Sequence, residues 1–198
     1  ERIHFECHHC GACCRNVKDS VPLESLDVYR IARFLQSQDK SLDSIEHLLS
    51  LYAEPVPIHE CGYFIYTLKT VGSDDACIFL KDNRCTIQAA KPRACRTYPL
   101  VAEPDDSSSF QYYLSMEKSH HFTGRKFKAR DWMNQYFTQE DEHLSMQTFR
   151  QCQRLRGCSG RYQRHTSTGH CSSFCYINTQ TLIWISRFRN NTSEIIEN

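Results

Sequence analysis

Apolar residues recur at helical spacing in the first quarter of the chain. The first stretch predicts a helix with Ser25 as its N-cap and Asp27 in its first turn. Its apolar positions share one helical face: Leu23, Leu26, Val28, Ile31, Phe34 and Leu35. A second short helix is predicted over 41–52, and Pro55 and Pro57 end it.

Aromatic and β-branched clusters later in the chain are typical of strands, and two polar-rich stretches have helical character. The pattern predicts four further elements: strands over 62–69 and 110–116, and helices over about 130–137 and 140–155. Thr138 and Asp141 have the spacing of a capping box for the last helix. Together these elements predict a small α+β domain.

A hairpin is predicted around a polar turn at 81–83. The flanking segments 77–80 and 84–87 are apolar enough for short strands. We expect this hairpin to bring Cys77 and Cys85 near each other across the strands.

Four thiols lie within residues 7–14, which read CHHCGACC: Cys7, Cys10, Cys13 and Cys14. A C-x2-C step lets one loop direct two sulfurs at one point, as metal chelation needs. Gly11 is the natural place for a tight turn with positive φ.

Three further thiols form a second block: Cys77, Cys85 and Cys95. Seven thiols exceed the four of one tetrahedral zinc site, and thiolate ligands favour zinc or iron over calcium and magnesium. The ligand set predicts an iron–sulfur cluster or zinc, and spacing alone does not choose between them. Arg93 and Arg96 flank Cys95, so we predict that these cations stabilise the thiolates and contact the cofactor.

The remaining cysteines and histidines carry weaker signals. Cys61 is expected to be a small buried hydrophobe, and His8 and His9 are expected to be loop residues. A looser set makes a less favoured further zinc site: Cys152, Cys158, Cys171 and Cys175 with His165 and His170. We place a cysteine-cluster domain at 1–160 and a poorly ordered or atypical tail at 161–198.

Composition narrows the class of protein. Twelve cysteines in 198 residues suit a reducing compartment when metal holds them, so we expect a cytoplasmic protein whose partner is a metal ion. A formal net charge of +1 and the lack of a basic stripe argue against nucleic acid, and no apolar run is long enough to span a membrane. A secreted, disulfide-stapled domain is the alternative for the cysteines. The sequence has no G-x-S-x-G, no glycine-rich phosphate loop and no H-E-x-x-H motif, and nothing in it singles out a Cys/His nucleophile pair.

Four segments together resemble the YkgJ-type cysteine-cluster family of bacteria: CHHCGACC, VPLESLDVYRIARFL, CIFLKDNRCTI and KPRACRTYPL. The resemblance runs from about Phe5 to about Phe137. It implies chelation of zinc or iron by the seven thiols named above. It also implies, through the similar flagellin lysine methylase, a possible iron–sulfur-dependent methyl transfer to protein lysines. Ser119 stands where many relatives carry a further cysteine, ahead of His120 and His121.

Overall fold

The computed structural model describes residues 2–38, 42–57, 64–116 and 118–162. Within these ranges there are five helices: α1 Ser25–Ser37, α2 Ile45–Tyr52, α3 Arg93–Thr97, α4 Ala129–Tyr136 and α5 Gln139–Tyr162. There are ten short strands: β1 Arg2–His4, β2 Ala53–Pro57, β3 Phe64–Leu68, β4 Thr70–Val71, β5 Ala76–Cys77, β6 Leu80–Lys81, β7 Arg84–Cys85, β8 Leu100–Pro104, β9 Phe110–Leu114 and β10 Lys126–Lys128. The predicted α+β class is confirmed.

Every sheet in the described ranges is a two-stranded antiparallel pair. Four of them join strands that follow each other directly in the chain: β2–β3, β4–β5, β6–β7 and β8–β9. The fifth pairs β1 with β10, with Ile3 opposite Phe127. This long-range pair holds the cysteine-rich segment after β1 beside the segment that carries His120 and His121.

The main hydrophobic core packs α1 and α2 against the segments that carry the second cysteine block. Ile31 and Leu48 are fully buried there, with Phe79 and Ile87 beneath them. The predicted apolar face of α1 is confirmed, although the N-cap is Glu24, one residue before Ser25. A cap displaced by one residue leaves the helical face unchanged, so the core prediction is unaffected.

A second, smaller core joins the beginning of the chain to α4. Ile3 and Phe5 pack with Leu100, Met133 and Phe137. The Phe5 ring also makes edge contacts with aromatic neighbours, so burial and ring packing together fix this segment.

A buried network of charges connects α1, α3 and α5. Asp27 is 1 % exposed and accepts a hydrogen bond from the Arg93 amide at 2.8 Å. Asp141, also 1 % exposed, accepts hydrogen bonds from Arg96 and from the Thr138 hydroxyl. The Asp141 amide donates back to the Thr138 hydroxyl, which confirms the predicted capping box.

The predicted hairpin differs in register from the one observed. Cys85 in β7 pairs with Leu80, whereas Cys77 lies in β5 opposite Thr70. The chain turns at 78–79, where the Ile78 amide donates to the Lys69 carbonyl. Cys77 and Cys85 are therefore brought together by two successive hairpins, and the prediction that they face each other across one hairpin was wrong.

Some predictions fall outside the described residues. These are the placement of Cys61 and of all residues after Tyr162, and the side chains of Cys152 and Cys158. Within the described part of the chain, no helix is long and apolar enough to cross a membrane.

Candidate metal centres

Five of the seven predicted thiol ligands line one cavity of about 420 Å³, which we call the thiol cavity: Cys13, Cys14, Cys77, Cys85 and Cys95. The five thiols lie on three kinds of element. The first two lie in a 3-10 turn, Ala12–Cys14; Cys77 and Cys85 lie in β5 and β7; Cys95 lies in α3. The structure thus places two thiols of the first block beside the three of the second, and their ligation of a metal stays a prediction.

Polar contacts tie the first cysteine block to the second. Arg15 forms an ion pair with Asp74 and donates to the Asn83 side chain at 2.9 Å. The Asn16 amide donates to the Asp74 carbonyl at 2.7 Å. These contacts attach the loop after Cys14 to the turns that precede β5 and join β6 to β7, so the thiols of both blocks face one space.

Gly11 makes the turn before Cys13 possible. Its φ is +72°, and a Cβ there would lie 3.0 Å from both the Asn83 carbonyl oxygen and the Leu80 Cδ1 atom. The predicted positive φ is confirmed, and close packing against the β6–β7 hairpin adds a second reason for glycine. The Cys14 amide donates to the Gly11 carbonyl at 3.0 Å and closes the turn.

The five thiols cannot all ionise without a compensating cation. Burial raises the pKa values of Cys77, Cys85 and Cys95. The Cys14 thiol, whose sulfur is 3.9 Å from that of Cys13, lowers the Cys13 pKa to about 6 with help from Lys91 and Lys118. The Cys14 pKa is raised in turn. These directions make Cys13 the first of the five thiols to lose its proton in the metal-free chain, and metal binding would release protons from the others that ligate.

The sulfurs of the thiol cavity are spread more widely than the ligands of one zinc ion. Zinc–sulfur bonds of about 2.3 Å put tetrahedral ligands about 3.8 Å apart. Cys13 and Cys14 meet that distance. Among the residues that the structure describes, however, no group of three thiols has all its sulfurs within 4.8 Å of one another.

A second group of candidate ligands consists of Cys10, His120 and His121. Their donor atoms all lie within 4.8 Å of one another. The Cys10 sulfur is 3.5 Å from His120 Nε2 and 3.2 Å from His121 Nε2. Both histidines lie in the 3-10 turn Ser119–His121, directly after Lys118. The structure thus separates Cys10 from the five thiols of the cavity, although only Gly11 and Ala12 stand between Cys10 and Cys13.

His121 is held rigidly. It is 3 % exposed, and the Phe5 and Tyr98 rings contact it edge-on. Its Nδ1 is 3.3 Å from the Tyr98 hydroxyl, and the Glu6 amide donates to its carbonyl at 3.0 Å. Burial, with the neighbouring His120 ring, lowers the pKa of His121, which favours the neutral ring that metal ligation needs.

The other predicted site residues are Cys7, Arg93 and Arg96, of which Arg93 also lines the thiol cavity. Cys7 is exposed and belongs to neither group. Arg93 donates to both oxygens of Glu24 at 3.0 and 2.9 Å, and Arg96 donates to Asp141. Their predicted contact with a cofactor stays a prediction. What the structure adds is that both guanidinium groups bind buried or half-buried carboxylates.

The sequence analysis overlooked two residues at these sites: Lys118, which lines the thiol cavity and acts on Cys13, and Tyr98, which orients His121. Neither residue has a signal in the sequence, because only the folded chain brings them to Cys13 and His121. Lys91 also lines the cavity and acts on Cys13, and its place just before Cys95 in the sequence indicates a cation near the thiols.

Comparison with known proteins gives one match. Residues 6–123, more than half of the chain, match the family model CxxCxxCC, described as "putative zinc- or iron-chelating domain". No curated protein and no solved structure matches the chain. The matched range contains all five thiols of the cavity and the Cys10, His120 and His121 group. The chain belongs to the CxxCxxCC family.

Proposed function

We propose that the thiol cavity binds an iron–sulfur cluster, with ligands drawn from its five cysteines. The observation that carries this proposal is the wide spacing of the sulfurs around a cavity of about 420 Å³. A single zinc ion needs four donors drawn close together, whereas a cluster separates its thiolate ligands by its own iron and sulfide atoms.

The charge around the cavity supports the same proposal. Burial raises the pKa values of Cys85 and Cys95, and Lys91 opposes that rise; Lys91 and Lys118 both favour the thiolate of Cys13. Two lysines beside several thiolates offset part of the negative charge of an all-thiolate centre. The soft donor set excludes calcium and magnesium as occupants.

A bound iron–sulfur cluster would supply one-electron transfer at this position. Zinc remains the alternative occupant, and it would require the sulfurs to close around one ion. Methyl transfer to protein lysines stays an inference from the family resemblance, because no group in the described ranges marks a methyl-donor site. The secreted disulfide-stapled alternative is not favoured, because the described cysteines Cys7, Cys10, Cys13, Cys14, Cys77, Cys85 and Cys95 are all free thiols.

The test is to purify the full chain without oxygen and to measure iron, acid-labile sulfide, zinc and the visible spectrum. We expect iron and sulfide in similar amounts with broad absorption from thiolate-bound clusters. Cys95→Ser should lose most of the iron and sulfide, whereas Cys7→Ser, which changes an exposed thiol outside the cavity, should keep both. A colourless chain that contains zinc and no sulfide would overturn the iron–sulfur proposal.

A further inference from the structure

Three side chains outside the thiol cavity already have the spacing of ligands around one metal ion. Zinc–sulfur and zinc–nitrogen bonds of about 2.3 and 2.0–2.1 Å place tetrahedral sulfur and nitrogen ligands about 3.6 Å apart. The two distances from the Cys10 sulfur, 3.5 Å to His120 Nε2 and 3.2 Å to His121 Nε2, are close to that value. We propose that Cys10, His120 and His121 form a second, mononuclear zinc site whose fourth position is open.

The ligands are oriented by the fold rather than by each other. The Tyr98 hydroxyl lies 3.3 Å from His121 Nδ1, which directs the other ring nitrogen, Nε2, toward Cys10. When His121 ligates through Nε2, its Nδ1–H donates to the Tyr98 oxygen, the usual arrangement for a metal-bound histidine. The pairing of β1 with β10 and the Glu6–His121 backbone bond hold the Cys10 loop against the histidine turn.

The donor set selects the kind of metal. One thiolate and two imidazoles suit zinc and disfavour calcium and magnesium, which require oxygen. One thiolate and two neutral rings leave a net charge of about +1 on a bound zinc ion. Such a centre attracts water, hydroxide or a small anion as its remaining ligand.

The fourth position is open to solvent. Cys10 and His120 are exposed, whereas His121 is buried. In the part of the chain that the structure describes, no fourth histidine, cysteine, aspartate or glutamate has a ligand atom within 4.8 Å of all three donors. Catalytic zinc sites have three protein ligands and one exchangeable position, whereas structural zinc sites have four protein ligands.

The second site has its own ligands, although Tyr98, which orients His121, also lines the thiol cavity. None of its three ligands lines that cavity, and its donors are mostly nitrogen rather than sulfur. The proposed zinc site can therefore be tested whether the thiol cavity holds a cluster, zinc or nothing.

The experiment titrates zinc into the full chain after surface-bound metal is removed, and counts bound zinc, iron and sulfide per chain. We expect His120→Gln to remove about one zinc ion per chain while iron and sulfide stay constant. Cys95→Ser should change the metal in the thiol cavity and leave this zinc ion in place. His143→Gln, which changes an exposed histidine on α5, is the matched control.

A second readout covers the case in which a histidine variant folds poorly. Cobalt(II) replaces zinc at such sites, and a bound thiolate gives it a sulfur-to-metal charge-transfer band. We expect Cys10→Ser to abolish the band that belongs to this site and Cys7→Ser to preserve it. Tyr98→Phe should weaken zinc binding about 10-fold, as loss of an orienting partner does. Zinc stoichiometry unchanged by His120→Gln, or a cobalt band unchanged by Cys10→Ser, would overturn the second site.

Discussion

The carboxylate of Asp27 in α1 accepts a hydrogen bond from the backbone amide of Arg93, the first residue of α3, at 2.8 Å. The two residues are 66 positions apart. Because α3 carries Cys95, this bond fixes one wall of the thiol cavity to the main core. Asp27 also accepts a hydrogen bond from the Glu24 amide at 3.2 Å. One buried carboxylate therefore accepts hydrogen bonds from backbone amides at the starts of two helices.

Asp27 should make the stability of the chain depend on pH. Burial, together with nearby Glu24, raises its pKa from 3.8 to about 7. Between these values the folded chain holds a proton that the unfolded chain has released, so stability falls as the pH rises. Asp27→Asn should remove this fall, which is at most about 1.4 kcal/mol per pH unit.

Urea unfolding of wild type and Asp27→Asn measures the effect. The experiment covers about pH 4.5 to pH 7.5, the range in which the folded chain holds a proton on Asp27 that the unfolded chain has released. Asp131→Asn, at an exposed position on α4, is the control and should keep the wild-type slope. A stability difference between wild type and Asp27→Asn that stays constant over this pH range would show that Asp27 is ionised throughout, contrary to this prediction.

Substitution of the buried Asp141 should be among the most destabilising changes at a charged residue of the fold. Burial opposes its ionisation, but hydrogen bonds from Arg96 and Thr138 hold its pKa at about 2. Asp141→Ala leaves Arg96 without its closest carboxylate and removes the Asp141 half of the capping box of α5, so we expect a loss of about 3–5 kcal/mol in the free energy of unfolding.

Glu140→Gln is the matched control for that substitution. Glu140 lies next in sequence, is 45 % exposed and approaches Arg30 at 3.8 Å. Its loss should cost less than about 1 kcal/mol, as for exposed ion pairs. Equal losses from the two variants, measured by urea unfolding, would contradict the importance assigned to the buried network.

Gly11→Ala should reduce metal binding in the thiol cavity. The substitution places a Cβ 3.0 Å from the Asn83 oxygen and forces a left-handed residue, so the turn that holds Cys13 must shift. Gly72→Ala is the control, because Gly72 has a similar φ of +76° but its nearest non-neighbouring atom is a side-chain oxygen at 3.3 Å. Both substitutions should destabilise the fold by about 1–2 kcal/mol, because each puts a residue with a Cβ in the left-handed conformation. Only Gly11→Ala should also lower the metal content.

Cys13 should be the most reactive of the five cavity thiols in the metal-free chain. Its pKa is lowered to about 6, whereas burial raises those of Cys77, Cys85 and Cys95. Alkylation with iodoacetamide near neutral pH, followed by peptide mass spectrometry, should modify Cys13 before these three.

Lys91→Met tests the cause of that reactivity. Removing the Lys91 charge should slow alkylation of Cys13, since one cation that favours the thiolate is gone. Lys126→Met, at an exposed position on β10, should leave the rate unchanged. If Cys77 or Cys95 reacted first, the charge distribution described for the cavity would be wrong.

Local signals in the sequence were sufficient for much of the secondary structure. The apolar face of α1, the strand that became β3, and the Thr138–Asp141 capping box all depend on residues within a few positions of each other. The turn at Gly11 is of the same kind, because only glycine adopts positive φ there without strain. Such features follow from backbone sterics and short-range hydrogen bonds, which the sequence alone determines.

The grouping of the ligands was decided only by the tertiary structure. Cys10 and Cys13 are three residues apart, yet the turn at Gly11 sends them to different sites. His120 reaches Cys10 across 110 positions because β1 pairs with β10. Arg96 flanks Cys95 in sequence but donates to Asp141, because α3 directs its side chain toward α5. Sequence spacing predicted which side chains can bind metal, whereas the directions set by long-range strand pairing and helix packing decided which of them meet.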